Sequence, residues 1–253
     1  MLPQTTTLRI PSRAVRYLLL QRTHYGLSKS GTRTRGFLGN VCRRSIGKVV
    51  EPIRTIKAKR NLTRLYSADV RKDYEIIRDY LLDSAKAILD IGCGLGGIDV
   101  LLYQHYRSSG INLHLLDKEG IAEKVYYGFN AEAAHYSSLL LTRELLKLNG
   151  VPIDRASTYD IATEGFPNQC KFDVVISLYS WGYHYPVSAY LEPVRTSLAS
   201  DGIIILDVRE ETDGKEQLAK HFTVCRDICI GSEDNRRILA TNNRHFQKHD
   251  NTQ

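Results

Sequence analysis

At 253 residues, with 42% hydrophobic and 25% charged side chains, the chain has the makeup of an ordinary globular protein and room for one domain plus an appendage. No uninterrupted apolar run approaches the ~20 residues of a membrane-spanning helix, so no integral membrane segment is expected. The net charge of +7 is uneven, since residues 1–60 carry 14 Lys and Arg against the single acid Glu51 and the remainder is net acidic. Cys42, Cys93, Cys170, Cys225 and Cys229 form no Cys-x-x-Cys pair, which points to free thiols in a reducing compartment and to no metal site.

Residues 1–60 read as a basic N-terminal extension, broken by Gly26, Gly31, Gly36, Gly39 and Gly47. Within it, Ser12–Gln21 has the makings of one short helix, with a basic face and Val15, Leu18 and Leu19 as its apolar positions. Three readings stay open. The acid-poor, Arg-rich composition fits a transit peptide and an organellar location. It equally fits an arm that touches an anionic membrane or another polyanion, with the protein cytoplasmic and peripheral. The third is an extension that packs on the domain and binds nothing. Aromatic residues do not interleave the basic ones in an RNA-binding pattern, which disfavours a nucleic-acid module.

Leu62, Tyr66, Val70, Tyr74, Ile77 and Leu81 recur at helical spacing, so an amphipathic helix is expected over 62–83. Strands and helices then alternate. Strands are expected near 87–91, 112–116, 156–160, 172–178, 202–208, 221–228 and 237–241. Helices are expected near 98–108, 131–148, 188–199 and 213–220. Such alternation implies a parallel sheet with helices on both faces. The domain is placed at 61–245, and 246–253 is a polar tail.

Ile88-Leu89-Asp90-Ile91-Gly92-Cys93-Gly94-Leu95-Gly96-Gly97 is a strand running into a glycine turn, followed by the start of a buried helix. That geometry brings backbone close to a nucleotide-like ligand. Asp117 ends the next apolar run, where a second strand would present an acid to a ribose diol. Asp90 would repel a pyrophosphate but suits a cation. The pair therefore favours a ligand with a ribose and positive charge and no phosphate.

On these residues, with Asp160 and the strand Phe172–Leu178, the chain resembles the class I S-adenosylmethionine-dependent methyltransferases over roughly 62–245. The resemblance implies an α/β fold: a Rossmann-like, doubly wound, seven-stranded sheet with a final reversed pair. It implies S-adenosyl-L-methionine as cofactor, held by Asp90, Gly92, Cys93, Gly94, Gly96 and Asp117. Asp160 would accept from the adenine amino group, with Ile161 on the adenine face and Ser177 at the end of the fourth strand. Asp160 also reads as a plain helix N-cap.

After that strand comes Tyr179-Ser180-Trp181-Gly182-Tyr183-His184-Tyr185-Pro186, an aromatic loop that the resemblance sets beneath the transferable methyl group. His184, with an intrinsic pKa near ~6.5, is the expected proton acceptor, with Tyr183 beside it. Trp181 and Tyr185 are expected to wall the acceptor, as is Tyr127 from the long loop after Asp117. Arg209 is a candidate clamp for an acidic group, or else an ion-pair partner of Glu210 or Glu211. An Asn/Asp-Pro-Pro-Tyr loop is absent. The expected reaction is methyl transfer to a small-molecule or glycan-like acceptor, on oxygen. A non-catalytic binding or assembly protein and a nicotinamide oxidoreductase are the alternatives.

Overall fold

The computed structural model describes residues 7–22, 56–122, 129, 135–230 and 235–247. The Arg-rich stretch 23–55, Tyr127 and the tail beyond 247 lie outside the described residues. Among those described, no helix is long and apolar enough to cross a membrane, and no group of His, Cys, Asp and Glu is placed to hold a metal ion.

Seven strands form one sheet: β1 (Ala87–Ile91), β2 (Asn112–Asp117), β5 (Ala156–Asp160), β6 (Phe172–Ser177), β7 (Leu198–Arg209), β8 (Val224–Ile230) and β9 (Asn235–Thr241). Their order is β5-β2-β1-β6-β7-β9-β8, parallel from β5 to β7. The sequence reading of a final reversed pair needs one refinement. β9 alone runs against the others, antiparallel to both β7 and β8.

Side-chain alternation along the strands splits the core into two layers. Ile88, Val174, Ile176, Ile203 and Ile205 face one side; Leu89, Ile91, Val175, Ile204 and Leu206 face the other. The first face is covered by α1 (Val15–Gln21), α2 (Ile56–Ile77), α3 (Gly97–His105) and α4 (Leu139–Leu148), the second by α5 (Leu191–Ser197) and α6 (Gly214–Ala219). The apolar stripe of α2 is buried as its spacing requires, from Leu62 to Ile77.

The N-terminal segment is part of this core. Tyr17 and Leu18 pack into the first layer, while Val15 and Leu19 meet Leu62 of α2. The Leu8 N–H donates to Ser67 Oγ at 3.0 Å, and Arg9 and Asn149 exchange two hydrogen bonds at 2.8 and 2.9 Å.

The helix expected over 131–148 is shorter. Tyr136–Ser137 instead forms β4, antiparallel to β3 (Gly120–Ile121), and α4 begins only where Glu119 Oε2 accepts the Leu139 N–H at 2.6 Å.

Candidate active site

A cavity of about 500 Å³ opens at the carboxyl ends of β1, β2 and β6, the ligand-bearing edge of such sheets. Its floor is the turn from β1 to α3. Gly92, Gly94 and Gly96 have φ of 75°, 56° and 71°, a region that side chains with a Cβ avoid. Space is restricted as well. A Cβ on Gly92 would lie 1.8 Å from Ser180 Oγ, and one on Gly94 would lie 3.1 Å from the Gln21 side chain. The close approach that glycine permits here is thus first of all an approach by the protein's own side chains.

The turn is braced by neighbours. Gly92 N–H donates to Leu116 O at 2.7 Å, Gly94 N–H to Asp117 Oδ2 at 2.7 Å, and Gly97 N–H to the Tyr66 hydroxyl at 3.2 Å. Thr142 Oγ1 donates to Gly94 O at 2.6 Å. Asp117 takes a second N–H, from Lys118, on its other oxygen at 2.7 Å. Burial raises Asp117 to about 6, against the lowering pull of those two N–H groups. Oδ2 also takes the Cys93 thiol at 4.0 Å, a weak donor that a ribose hydroxyl would replace, and Oδ1 keeps a lone pair for the second hydroxyl.

The fit of a cationic, ribose-bearing cofactor also rests on Asp90 and Asp99. Both carboxylates are buried behind the turn, and no donor of another described residue reaches either oxygen of Asp99. Negative charge in need of a cation is what an ammonium and a sulfonium would meet. Cys93, at the cavity floor, is a neutral thiol because burial pushes its pKa well up.

The second wall is the aromatic loop. Tyr179, Ser180, His184 and Tyr185 line the cavity, joined by Tyr190. Tyr185 Oη lies 3.3 Å from Ser180 Oγ, and burial holds its phenol far above the ordinary range. Tyr179 has φ of 58°, unusual for a residue with a side chain. Asp207 Oδ2 holds it there by accepting its N–H at 3.1 Å. Asp207 is paired with Arg237 at 2.8 and 3.0 Å, and Arg237 reaches Asp73 of α2 at 3.0 Å. Asp73 then meets Arg22 at 3.4 Å, and the Arg22 guanidinium lies 4.7 Å from the centre of the Tyr179 ring. A buried chain of charges thus ties the end of α1, helix α2 and strands β7 and β9 to one wall residue.

Of the residues expected from sequence, Gly92, Cys93, Gly94, Asp117, Ile161, His184 and Tyr185 meet in this cavity. Others do not line it. Asp90 sits behind the turn, and Gly96 packs under Thr142 and Leu115. Asp160 caps its own turn: burial is the largest single effect and raises it, but N–H groups of Ala162 and Glu119, the Thr163 hydroxyl and the Lys118 charge together outweigh that and hold it below the usual range. Its N-cap-like role explains its position, and its oxygens are engaged there. Ser177 is fully buried, donating to Ile91 O at 2.7 Å and accepting the Trp181 N–H at 2.9 Å.

Trp181 is core, wholly buried with Nε1 donating to Val187 O at 2.8 Å. Tyr183 stacks under Arg209, whose guanidinium lies 4.6 Å from the ring centre and whose Nε donates to the Tyr183 carbonyl at 3.2 Å. Arg209 therefore braces the loop, and Glu210 pairs with Arg236 instead. Sequence reading missed Arg22, Tyr66, Lys118, His135 and Tyr179 as lining residues. Tyr179 alone carried a local signal, as the second residue after a strand that ends at the ligand edge.

The sheet, its switch point between β1 and β6, and the acid at the end of β2 across from the glycine turn are those of an α/β domain that takes its ligand at this edge. A family model described as a methyltransferase domain matches residues 60–250, and the chain belongs to this family, within the class I S-adenosylmethionine-dependent methyltransferase superfamily. No curated protein matches the chain.

Similar solved structures include three methyltransferases. A precorrin-6y methyltransferase from Geobacter metallireducens is 17% identical, with 70% of this chain and 86% of that one covered and a TM-score of 0.46. A putative O-methyltransferase from Nostoc punctiforme is 14% identical, with 71% and 57% covered and a TM-score of 0.49. The 16S rRNA methyltransferase RsmC of T. thermophilus, in complex with AdoMet and guanosine, is 13% identical, with 69% and 42% covered and a TM-score of 0.46. This chain spans less than half of the RsmC chain.

Proposed function

We infer that the protein transfers the methyl group of S-adenosylmethionine to a hydroxyl of a small-molecule or glycan-like acceptor. The observation that carries this reading is that His184 lines the same cavity as Asp117 and the glycine turn. When bound, the cofactor supplies an electrophilic methyl carbon on a sulfonium. The remaining work is alignment and proton removal. Asp117 holds the ribose, and Asp90 with Asp99 draws the positive end into the turn. His184 accepts the acceptor's hydroxyl proton. The hydroxyls of Tyr179, Tyr185 and Tyr190 suit a hydroxylated acceptor, and their rings exclude water from it. We extend the proposal to the arm: its basic residues favour peripheral contact of a cytoplasmic protein with an anionic surface.

The test has two stages. Calorimetry with S-adenosylmethionine and, separately, with NADH should give micromolar binding of the first alone. Incubation with methyl-labelled cofactor and a panel of sugars and phenols should then identify an acceptor. His184→Gln should lower kcat by about 10²–10⁴-fold and remove the acidic limb of its pH profile, with cofactor affinity kept. Binding of NADH alone would sink the methyltransferase reading. Label recovered on nitrogen or carbon, or full turnover by His184→Gln, would overturn the hydroxyl assignment.

A further inference from the structure

Asp99 belongs to no part of the site as sequence reading drew it. It stands in the first turn of α3, 1% exposed, and both of its carboxylate oxygens are wholly buried. A buried acid with no donor from another described residue is costly unless something shares its charge. What faces it is Asp90, 3% exposed at the end of β1 and near enough to hydrogen-bond when one of the two carries a proton. Two carboxylates in contact in a dry site do not both ionise, and such a pair titrates as one unit.

Among the described residues, none supplies a cation to this pair. From α2 comes the Tyr66 phenol, kept neutral by burial and accepting the Gly97 N–H. From β2 comes Asp117, another acid, and from the turn itself the neutral Cys93 thiol. Arg22 acts on Tyr66, but its guanidinium is drawn to Asp73 and lies over Tyr179. Among the described residues, the charge at the turn is thus left for a ligand to balance.

We propose that Asp99 is a positioning residue that shares one proton with Asp90, and that this proton passes to solvent when the cationic end of the methyl donor enters the glycine turn. The proposal rests on the cofactor reading given above. In balance, the ligand's positive charge replaces the proton's, and the site keeps its net charge. Burial supports the required range, holding Asp99 at about 6 and Asp90 well above its ordinary value. The consequence is linkage: affinity for the donor rises with pH, by up to about tenfold per unit while the pair holds its proton, and levels off above that range.

The experiment is calorimetric titration of the full chain with S-adenosylmethionine at about pH 6.5, in two buffers of different ionisation heat. Wild type should release between about half and one proton and Asp99→Asn clearly less, because losing the neighbouring acid lowers the Asp90 carboxyl while burial still raises it. Asp117 is a second titrating carboxyl in the cavity, so Asp117→Asn serves as the control and should release about as much as wild type. Absence of release from wild type, or equal release from Asp99→Asn, would overturn the proposal. Absence of any binding by wild type would overturn the cofactor reading with it, and so is told apart. If Asp99→Asn does not fold, infrared difference spectra of wild type decide. A protonated carboxyl band should disappear on ligand addition, and its persistence would count against the shared proton.

Discussion

Replacing Asp117 with Asn tests the ribose-acid assignment through two readouts that move in opposite directions. In the folded chain its oxygens accept N–H groups of Gly94 and Lys118, each at 2.7 Å, with only the weak Cys93 thiol on Oδ2 besides, which leaves room for ribose hydroxyls. Asparagine keeps one acceptor and turns its amide donors toward an N–H. Loss of one hydrogen bond to a charged group predicts a fall in S-adenosylmethionine affinity of about 2 kcal/mol, roughly 30-fold. Stability should move the other way. Burial raises Asp117 from 3.8 to about 6, so between those values the folded chain holds a proton that the unfolded chain has released. The contribution to stability therefore falls as pH rises through that window. Above it, the charge costs up to about 3 kcal/mol, and asparagine removes that cost apart from its own mismatched amide. At about pH 7.5 the variant should melt higher by about 2–6 °C, the gap closing toward about pH 4.5. Calorimetry measures both. Unchanged affinity would refute the ribose role, and a lower melting temperature near neutrality would refute the electrostatic argument.

Other substitutions probe the scaffold around the cavity. Gly92→Ala forces a Cβ to 1.8 Å from Ser180 Oγ at a φ of 75°, and should destabilise by more than about 2 kcal/mol in denaturant unfolding. Adding Ser180→Gly should recover the steric share and leave the backbone share of about 1–2 kcal/mol. Arg237→Met leaves Asp207 and Asp73 buried without their shared cation, so a loss of about 3–5 kcal/mol is expected from urea melts; a loss below about 1 kcal/mol would mean the charges are solvated. Trp181→Phe removes the bond to Val187 O and part of a filled core, for a loss of about 2–4 kcal/mol with the acceptor KM unchanged. A raised acceptor KM at constant stability would restore Trp181 to the cavity wall.

How much of this was legible in the chain depends on the range of the physics involved. The strand Ala87–Ile91, the glycine turn and the acid at the end of β2 were readable because each is a local pattern. A buried strand needs a short apolar run, and positive φ at three alternating positions needs glycine. The stripe of α2 was readable for the same reason, its tyrosines included. Shorter-range competition already blurred the picture at Tyr136–Ser137, where pairing with Gly120–Ile121 overrode a helical pattern.

Within the aromatic loop the residue types were visible but their directions were not. His184 and Tyr185 face the cavity while Trp181 and Tyr183 turn away, because Tyr179 is locked at positive φ by Asp207 and Trp181 is fixed by Ser177 and Val187. Asp207 in turn depends on Arg237, its partner through the antiparallel register of β7 and β9, and on Asp73 from α2. The sequence by itself determined the sheet, the turn and the acid that ends β2. The tertiary structure decided which side chains line the cavity, brought Arg22 from the N-terminal segment to its wall, and set Asp99 against Asp90. Propensity and periodicity act over a few residues, whereas orientation and burial of charge are set by contacts between segments far apart in the chain.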